Sequence, residues 1–296
     1  MELIPEPDWE SLPGALLLSK GTTMLIGETD SGKSTLAKYL VQRLISQHLP
    51  VCLIDADVGQ SSLGLPGTIC MKPFFNEYDL QSFFYKKMSF VGTINPAKNI
   101  LNIIATVKRM SDECRDIADI SLIDTSGLVA GEIGERLKIG KVGALNPSHI
   151  IALQKQIELE HILSLIPGAN IHRISLSKDI KATPLSSRLQ YRKRKYDDYF
   201  HKPEMNDFIL YTRDAMFCYK DKLLNGEDRI FTKDTLIGLN SDDNTIALGI
   251  LQDISDNSIT FSSPLISLKQ INRVIFGDIT YSREQGCTEK KRKKRA

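Results

Sequence analysis

Gly27-Glu28-Thr29-Asp30-Ser31-Gly32-Lys33-Ser34-Thr35 fits the pattern G-x-x-x-x-G-K-[S/T] at every position, with Ser34 last. Just before it, residues 22–27 (TTMLIG) are a short apolar run rich in β-formers. Just after it, residues 36–49 place Leu36, Ala37, Leu40, Val41, Leu44 and Ile45 on one helical face, with Lys38, Gln42 and Gln47 opposite. Strand, tight loop and helix N-terminus together make an anion cradle. Gly27 and Gly32 let the backbone bend and approach closely, and the N–H groups of Glu28, Thr29, Asp30 and Ser31 turn inward. The helix end adds partial positive charge. Lys33 is placed to reach the β- and γ-phosphates, Ser34 to offer a hydroxyl to Mg²⁺, and Thr35 to support the α-phosphate. The stretch therefore predicts a nucleoside triphosphate site.

Working outward, apolar runs at 51–56 (VCLIDA), 88–93, 120–125 (ISLIDT), 149–154 (HIIALQ) and 170–176 alternate with amphipathic stretches at 99–110 and 155–166. Strands apolar along their whole length, spaced by helices, predict an α/β fold of the P-loop class, with a mostly parallel sheet flanked by helices. After about residue 205 the runs are short and spaced by Asn, Asp, Ser and Gly, as expected of a small antiparallel β module. The expected organisation is an N-terminal segment 1–20, a nucleotide-binding domain 21–204 with a basic helical stretch at 180–200, a β module 205–282 and a basic disordered tail 283–296.

The 296 residues, 42% hydrophobic and 25% charged, have an ordinary globular composition, and no apolar run is long enough to span a membrane. Glu2, Glu6, Asp8 and Glu10 stand where a secretory signal would be basic, so a cytoplasmic protein with no membrane association is expected. The five cysteines are scattered and form no CxxC pair, which predicts reduced thiols and no zinc site. Trp9, the single tryptophan, is expected as a packing anchor or an adenine-side contact. The net charge of +2 hides an asymmetry. Removing the six basic residues 290–295 leaves 32 Lys and Arg against 36 Asp and Glu, a net of −4. Such a tail is expected to be solvated, with loose nucleic-acid attachment as its functional alternative.

Two further strand ends carry carboxylates. Asp55 and Asp57 open Asp55-Ala56-Asp57-Val58-Gly59-Gln60, at the sheet edge where α/β proteins bind ligands. In phosphoryl transfer one carboxylate can hold a metal's waters and another can accept the proton of an attacking hydroxyl. Asp124-Thr125-Ser126-Gly127 ends a later strand. Its Asp-x-x-Gly form would suit a GTPase, but Ala152-Leu153-Gln154-Lys155 stands where a guanine motif is needed.

In this order, GETDSGKST, DADVGQSSLGLPGTI, FVGTINP, IDTSGLVAG and a basic R-x-x-x-R stretch resemble the polynucleotide 5′-hydroxyl kinases. That family includes the kinase subunit of the pre-mRNA cleavage machinery and the nucleolar ribosomal-RNA-processing kinases. The resemblance runs from about residue 14 to 280, and the compact length is similar to archaeal and bacterial members. It implies ATP and Mg²⁺ as cofactors and a nucleic acid with a 5′-hydroxyl end, RNA or DNA, as acceptor. On that resemblance Lys33 and Ser34 grip ATP and Mg²⁺, Asp57 activates the 5′-hydroxyl, and Asp55 lies in the metal's outer shell. Gln60 helps order the acceptor end or metal waters, Thr125 and Gly127 clasp the acceptor backbone, and Arg188 and Arg192 close a mobile lid over the triphosphate. The clasp departs from the family's usual Asn-Thr-x-Gly-Trp: Asp124 replaces Asn, and Leu128 replaces the aromatic. The alternative reading is a non-catalytic ATP-binding scaffold of an RNA-processing complex.

Overall fold

The computed structural model describes residues 5–177, 180–201, 205–220, 222–224, 231–284 and 286–289. A short helix α1 (Leu12–Leu18) leads into β1 (Gly21–Gly27), α2 (Lys33–Ile45), β2 (Val51–Ala56), β3 (Thr68–Phe74), β4 (Lys87–Phe90), α3 (Ile100–Arg115), β5 (Ile120–Thr125) and α4 (Gly131–Leu145). Then come β6 (His149–Gln154), α5 (Glu160–Leu163), β7 (Asn170–Ser175) and α6 (Leu185–Phe200). The seven strands form one sheet in the order β4-β3-β2-β5-β1-β6-β7.

The loop-bearing strand β1 lies between β5 and β6 and runs parallel to both, while β2 is parallel to β5 and β7 to β6. The expected parallel sheet is thus present, with one addition. The edge strands β3 and β4 run antiparallel, β3 against β2 and β4 against β3. Register aligns Asp55 with Asp124, and Asp124 with Leu25 just ahead of the phosphate loop. Three strands therefore deliver their carboxyl ends to one place.

Apolar faces explain the layers. Leu36, Leu40, Val41 and Leu44 of α2 pack on one side of the sheet with Leu12 and Leu16 of α1. Trp9 joins them, 6% exposed and 5.5 Å from the Tyr39 ring, which settles its place as a packing anchor. On the other side lie Ile103, Val107 and Met110 of α3 and Leu137 and Leu145 of α4. Cys52 of β2 and Cys114 of α3 are joined as a disulfide across 62 residues, their Cα atoms 5.9 Å apart. This corrects the expectation of five reduced thiols: packing of α3 on β2 pairs cysteines whose spacing carries no signal.

The rest of the chain builds a second sheet from β8 (Asn206–Tyr211), β9 (Met216–Tyr219), β10 (Lys222–Leu223), β11 (Thr235–Ser241), β12 (Asn244–Ile254), β13 (Ser258–Ser263), β14 (Arg273–Ser282) and β15 (Gly286–Glu289). It is antiparallel as expected, except that β9 runs parallel to β14. β15 pairs with β14, so ordered structure reaches into residues expected as disordered tail. Residues 290–296, with the basic run, lie outside the described residues.

The two sheets share a core: Leu236, Leu248, Ile279 and Tyr281 pack in one cluster with Leu25 and Leu36. Phe90 of β4, 1% exposed, is the joint. A Cβ on Gly238 or on Gly277 would come within 2.8 Å of its ring, so glycine at both positions leaves the ring its space. The Phe90 N–H donates to Thr245 Oγ1 at 2.8 Å.

Candidate active site

The sequence makes the phosphate loop locally. β1 ends at Gly27, where a Cβ would sit 2.8 Å from the Leu153 carbonyl oxygen. The chain then turns through Asp30 at φ 62° and Gly32 at φ 88°, left-handed values that glycine adopts freely and Asp tolerates. Thr29, Asp30, Ser31, Gly32, Lys33, Ser34 and Thr35 line a cleft of about 330 Å³, completed by Asp57, Gln60 and residues of the 180–188 stretch, including Arg188. Phosphate loop, candidate base and lid arginine thus meet in one space.

Lys33 is 6% exposed, and its ammonium folds back to donate to the Glu28 carbonyl at 2.5 Å and to Ser31 Oγ at 3.1 Å. Burial lowers its pKa, against the pull of Asp124, Asp57, Asp30 and Glu28. A phosphate entering the loop would give this ammonium a stronger partner.

The strand-end carboxylates divide into three environments. Asp57 is half-buried; its Oδ1 accepts from the N–H groups of Gly59 and Gln60 at 2.9 and 3.2 Å, and it faces the cleft. Asp55 is fully buried. Its carboxylate accepts from the N–H groups of Asp57, Ser62 and Leu63 and from the hydroxyls of Ser61 and Ser62. Burial raises its pKa and the Leu63 N–H opposes the rise. Asp55 therefore organises the 57–63 loop, and it is not the carboxylate that Ser34 meets.

Ser34 meets Asp124, whose Oδ2 accepts from Ser34 Oγ at 2.5 Å. Burial, reinforced by the Asp55 charge, pushes the Asp124 carboxyl up to about 7 against the pull of Lys33 and Ser34. Its Oδ1 is buried with no hydrogen-bond partner among the described residues. One hydroxyl and one under-satisfied carboxylate, next to a phosphate cradle, suit a divalent cation that takes its remaining ligands from phosphate and water. Ser34 and Asp124 thus fit Mg²⁺.

The clasp residues are placed differently from expectation. Thr125 is fully buried: its hydroxyl donates to the Leu25 carbonyl at 2.7 Å and accepts from Lys138 Nζ at 2.7 Å. It ties β5 to β1 beneath the loop, so its hydroxyl is not presented to a ligand. Gly127 is packed against the phosphate loop; a Cβ there would lie 2.3 Å from the Thr29 nitrogen. Gln60 faces the cleft, its Nε2 donating to the Gly59 carbonyl.

Arg188 donates to Asp30 Oδ2 at 2.7 Å, and Thr183 donates to the same carboxylate through N–H and hydroxyl at 2.8 and 2.9 Å. Burial raises the Asp30 pKa, but these donors outweigh it and hold the carboxyl below its usual range. Arg192 does not line the cleft. Four residues further along the same face of α6, its charge acts on Tyr196 and on Cys287 of β15 instead. Tyr191 and Tyr196 donate their hydroxyls to the Ser61 and Pro66 carbonyls, anchoring most of the expected mobile lid to the 57–67 loop.

Sequence reasoning missed two buried lysines, Lys138 and Lys141 of α4. A signal existed: Gly134, Lys138, Lys141 and Leu145 are spaced four, three and four, a core stripe with lysine at two of its positions.

A family model described as mRNA cleavage and polyadenylation factor CLP1 P-loop matches residues 27–202. A polyribonucleotide 5′-hydroxyl-kinase of Pyrococcus horikoshii is 34% identical over 209 residues, covering 68% of this chain and 56% of that protein. Its namesake in Methanocaldococcus jannaschii is 33% identical over 218 residues, covering 70% and 59%. The chain thus spans between half and three fifths of the length of these curated relatives. Among solved structures, Clp1p in a wild-type Clp1p–Pcf11p complex superposes with a TM-score of 0.71 at 12% identity, covering 92% of this chain and 79% of that one, a likeness of fold. Among the described residues no helix is long and apolar enough to cross a membrane. With its phosphate loop, Asp57 and Gln60 lining one cleft and the family model covering well over half of its residues, the chain belongs to the CLP1 P-loop family.

Proposed function

We propose that this chain is an ATP- and Mg²⁺-dependent polynucleotide 5′-hydroxyl kinase, moving the γ-phosphate of ATP onto the 5′-hydroxyl end of RNA and/or DNA. The observation that carries this reading is Asp57 in the same cleft as Lys33 and Arg188. A pure nucleotide scaffold needs a cradle but no carboxylate facing the γ-phosphate side.

In this reading the loop N–H groups and Lys33 bind the triphosphate, and Ser34 and Asp124 would hold the cation. Bound there, Mg²⁺ neutralises charge on the β- and γ-phosphates. Asp57, held in place by the Gly59 and Gln60 N–H groups, orients the acceptor hydroxyl in line and takes its proton as the oxygen attacks. Arg188 exchanges Asp30 for the γ-phosphoryl oxygens, where its planar fork meets developing charge. Arg192 would have to turn from the β15 side to join it. The basic run at 290–295 adds sequence-independent attraction for the acceptor backbone.

The deciding experiment is label transfer from γ-labelled ATP to matched 5′-hydroxyl RNA and DNA oligonucleotides. Transfer is expected to vanish in both Lys33→Ala and Asp57→Asn. ATP binding, measured by calorimetry, should weaken strongly in Lys33→Ala and stay within about twofold in Asp57→Asn, because Asp57 serves the acceptor. Collapse of ATP affinity in Asp57→Asn would overturn its assignment as base. ATP binding without any transfer by the unaltered protein would favour the scaffold.

A further inference from the structure

α4 buries two ammonium groups on one face. Lys138 is 0% and Lys141 1% exposed, one turn apart beside Leu137 and Leu145. An ammonium taken out of water is tolerable only with partners or opposite charge around it. Lys138 has both: Nζ donates to Thr125 Oγ1 at 2.7 Å and to the Ser126 carbonyl at 2.5 Å. Lys141 is different. Its Nζ has no hydrogen-bond partner among the described residues. The negative charges that act on it are those of Asp57, Asp124 and Asp55, the three strand-end carboxylates of the site, none of which it meets in a hydrogen bond.

We infer that Lys141 is a positioning residue: a fixed ammonium behind the cleft that lets Asp55, Asp57 and Asp124 stand together and competes with the divalent cation for them. This rests on the reading of the cleft as a nucleotide and cation site. Lys33 faces the same site from the phosphate loop and is the ammonium that a triphosphate engages, whereas burial and the charges of Lys141 and Lys33 hold Lys138 well below the usual lysine range. Burial pulls the Lys141 pKa down to about 8 while the carboxylates oppose the fall, so it stays charged at neutral pH. The ammonium thereby keeps the cation loosely held until phosphate arrives. Lys138 has a separate part, fixing residues 125–127 on which Gly127 and Thr29 meet.

The test is Lys141→Met, which keeps length and apolar stem but takes one charge out of a buried cluster, so it should lower the melting temperature, and Mn²⁺ binding is compared well below that temperature. Lys141→Gln is the second variant. Mn²⁺ binding is followed by electron paramagnetic resonance on the whole chain with ATP present. Both variants should bind Mn²⁺ at least tenfold more tightly, since one unit charge acting on a divalent ion across a partly buried site is worth more than that factor. Lys138→Met should change Mn²⁺ affinity less. Unchanged or weaker Mn²⁺ binding in folded Lys141→Met overturns the inference, as does loss of fold in both Lys141 variants, which would make the lysine structural. Label transfer separates this from the kinase reading. Tighter Mn²⁺ with no transfer by the unaltered protein would sink the kinase alone, and normal transfer without tightening would sink the role of Lys141 alone.

Discussion

Asp55 and Asp124 are register partners on adjacent strands, yet their surroundings differ. Asp55 spends its oxygens on the 57–63 loop, whereas Asp124 has one oxygen on Ser34 and one unpartnered. Burial pushes the Asp124 carboxyl up to about 7, so it binds a proton more tightly folded than unfolded. Its sign follows from linkage: the contribution to stability is fully present below the ordinary carboxylate range and lost as pH rises toward about 7. Thermal unfolding of the nucleotide-free chain between pH 4 and 7 should show this loss, and Asp124→Asn should flatten it. Added Mg²⁺ and ATP should restore stability at the upper end, since a cation replaces the proton. A pH slope unchanged in Asp124→Asn would place the titrating group elsewhere. Asp55, whose pKa burial also raises, adds to the slope in the same direction, so the difference made by Asp124→Asn is the share of Asp124.

Among the elements, α6 shows how one helix serves two purposes. Tyr196, Tyr199 and Phe200 bury its C-terminal end in the core shared by both sheets, while its first turn stays exposed over the cleft. The Arg188–Asp30 pair and the two Thr183 hydrogen bonds are what hold that first turn down. Asn tolerates the left-handed backbone of position 30, so Asp30→Asn removes charge without strain. Amides of residues 183–190 should then exchange with solvent about fivefold faster, as suits a half-exposed ion pair worth about 1 kcal/mol. Exchange at 196–200 should not change. Equal exchange at 183–190 in both proteins would mean the helix end is held by its own packing. The R-x-x-x-R spacing was legible in the sequence, but which arginine reaches the loop was not: residues four apart share a helix face, and the aromatic residues that α6 buries fix where along its axis the loop stands.

For the molecule as a whole, the second sheet is part of the same structure as the nucleotide-binding sheet. Phe90 joins them through Gly238, Gly277 and the Thr245 hydroxyl. Phe90→Ala should cost about 3–5 kcal/mol and lower a single unfolding transition seen equally by probes in both sheets. Two separated transitions in the unaltered chain would show independent units instead. β15 adds a second tie, since Glu289 accepts from Thr93 and pairs with Lys98 at 3.4 Å, in the loop that comes close to Gly59 beside Asp57. The expected boundary near 204 thus marks a change of strand pattern inside a shared core.

By itself the sequence determined the phosphate loop, the parallel strands that carry it and the carboxylates at their ends. These are local patterns: glycine spacing, apolar runs and helical periodicity act within a few residues and survive without knowledge of the fold. Only the tertiary structure decided the rest. It put Asp124 and not Asp55 beside Ser34, buried Thr125 under Lys138, brought Arg192 to β15, joined Cys52 to Cys114 and set Lys141 behind three carboxylates. Each of these depends on strand register or helix placement between segments far apart in the chain. Those are fixed by how apolar faces pack, which no motif spells out.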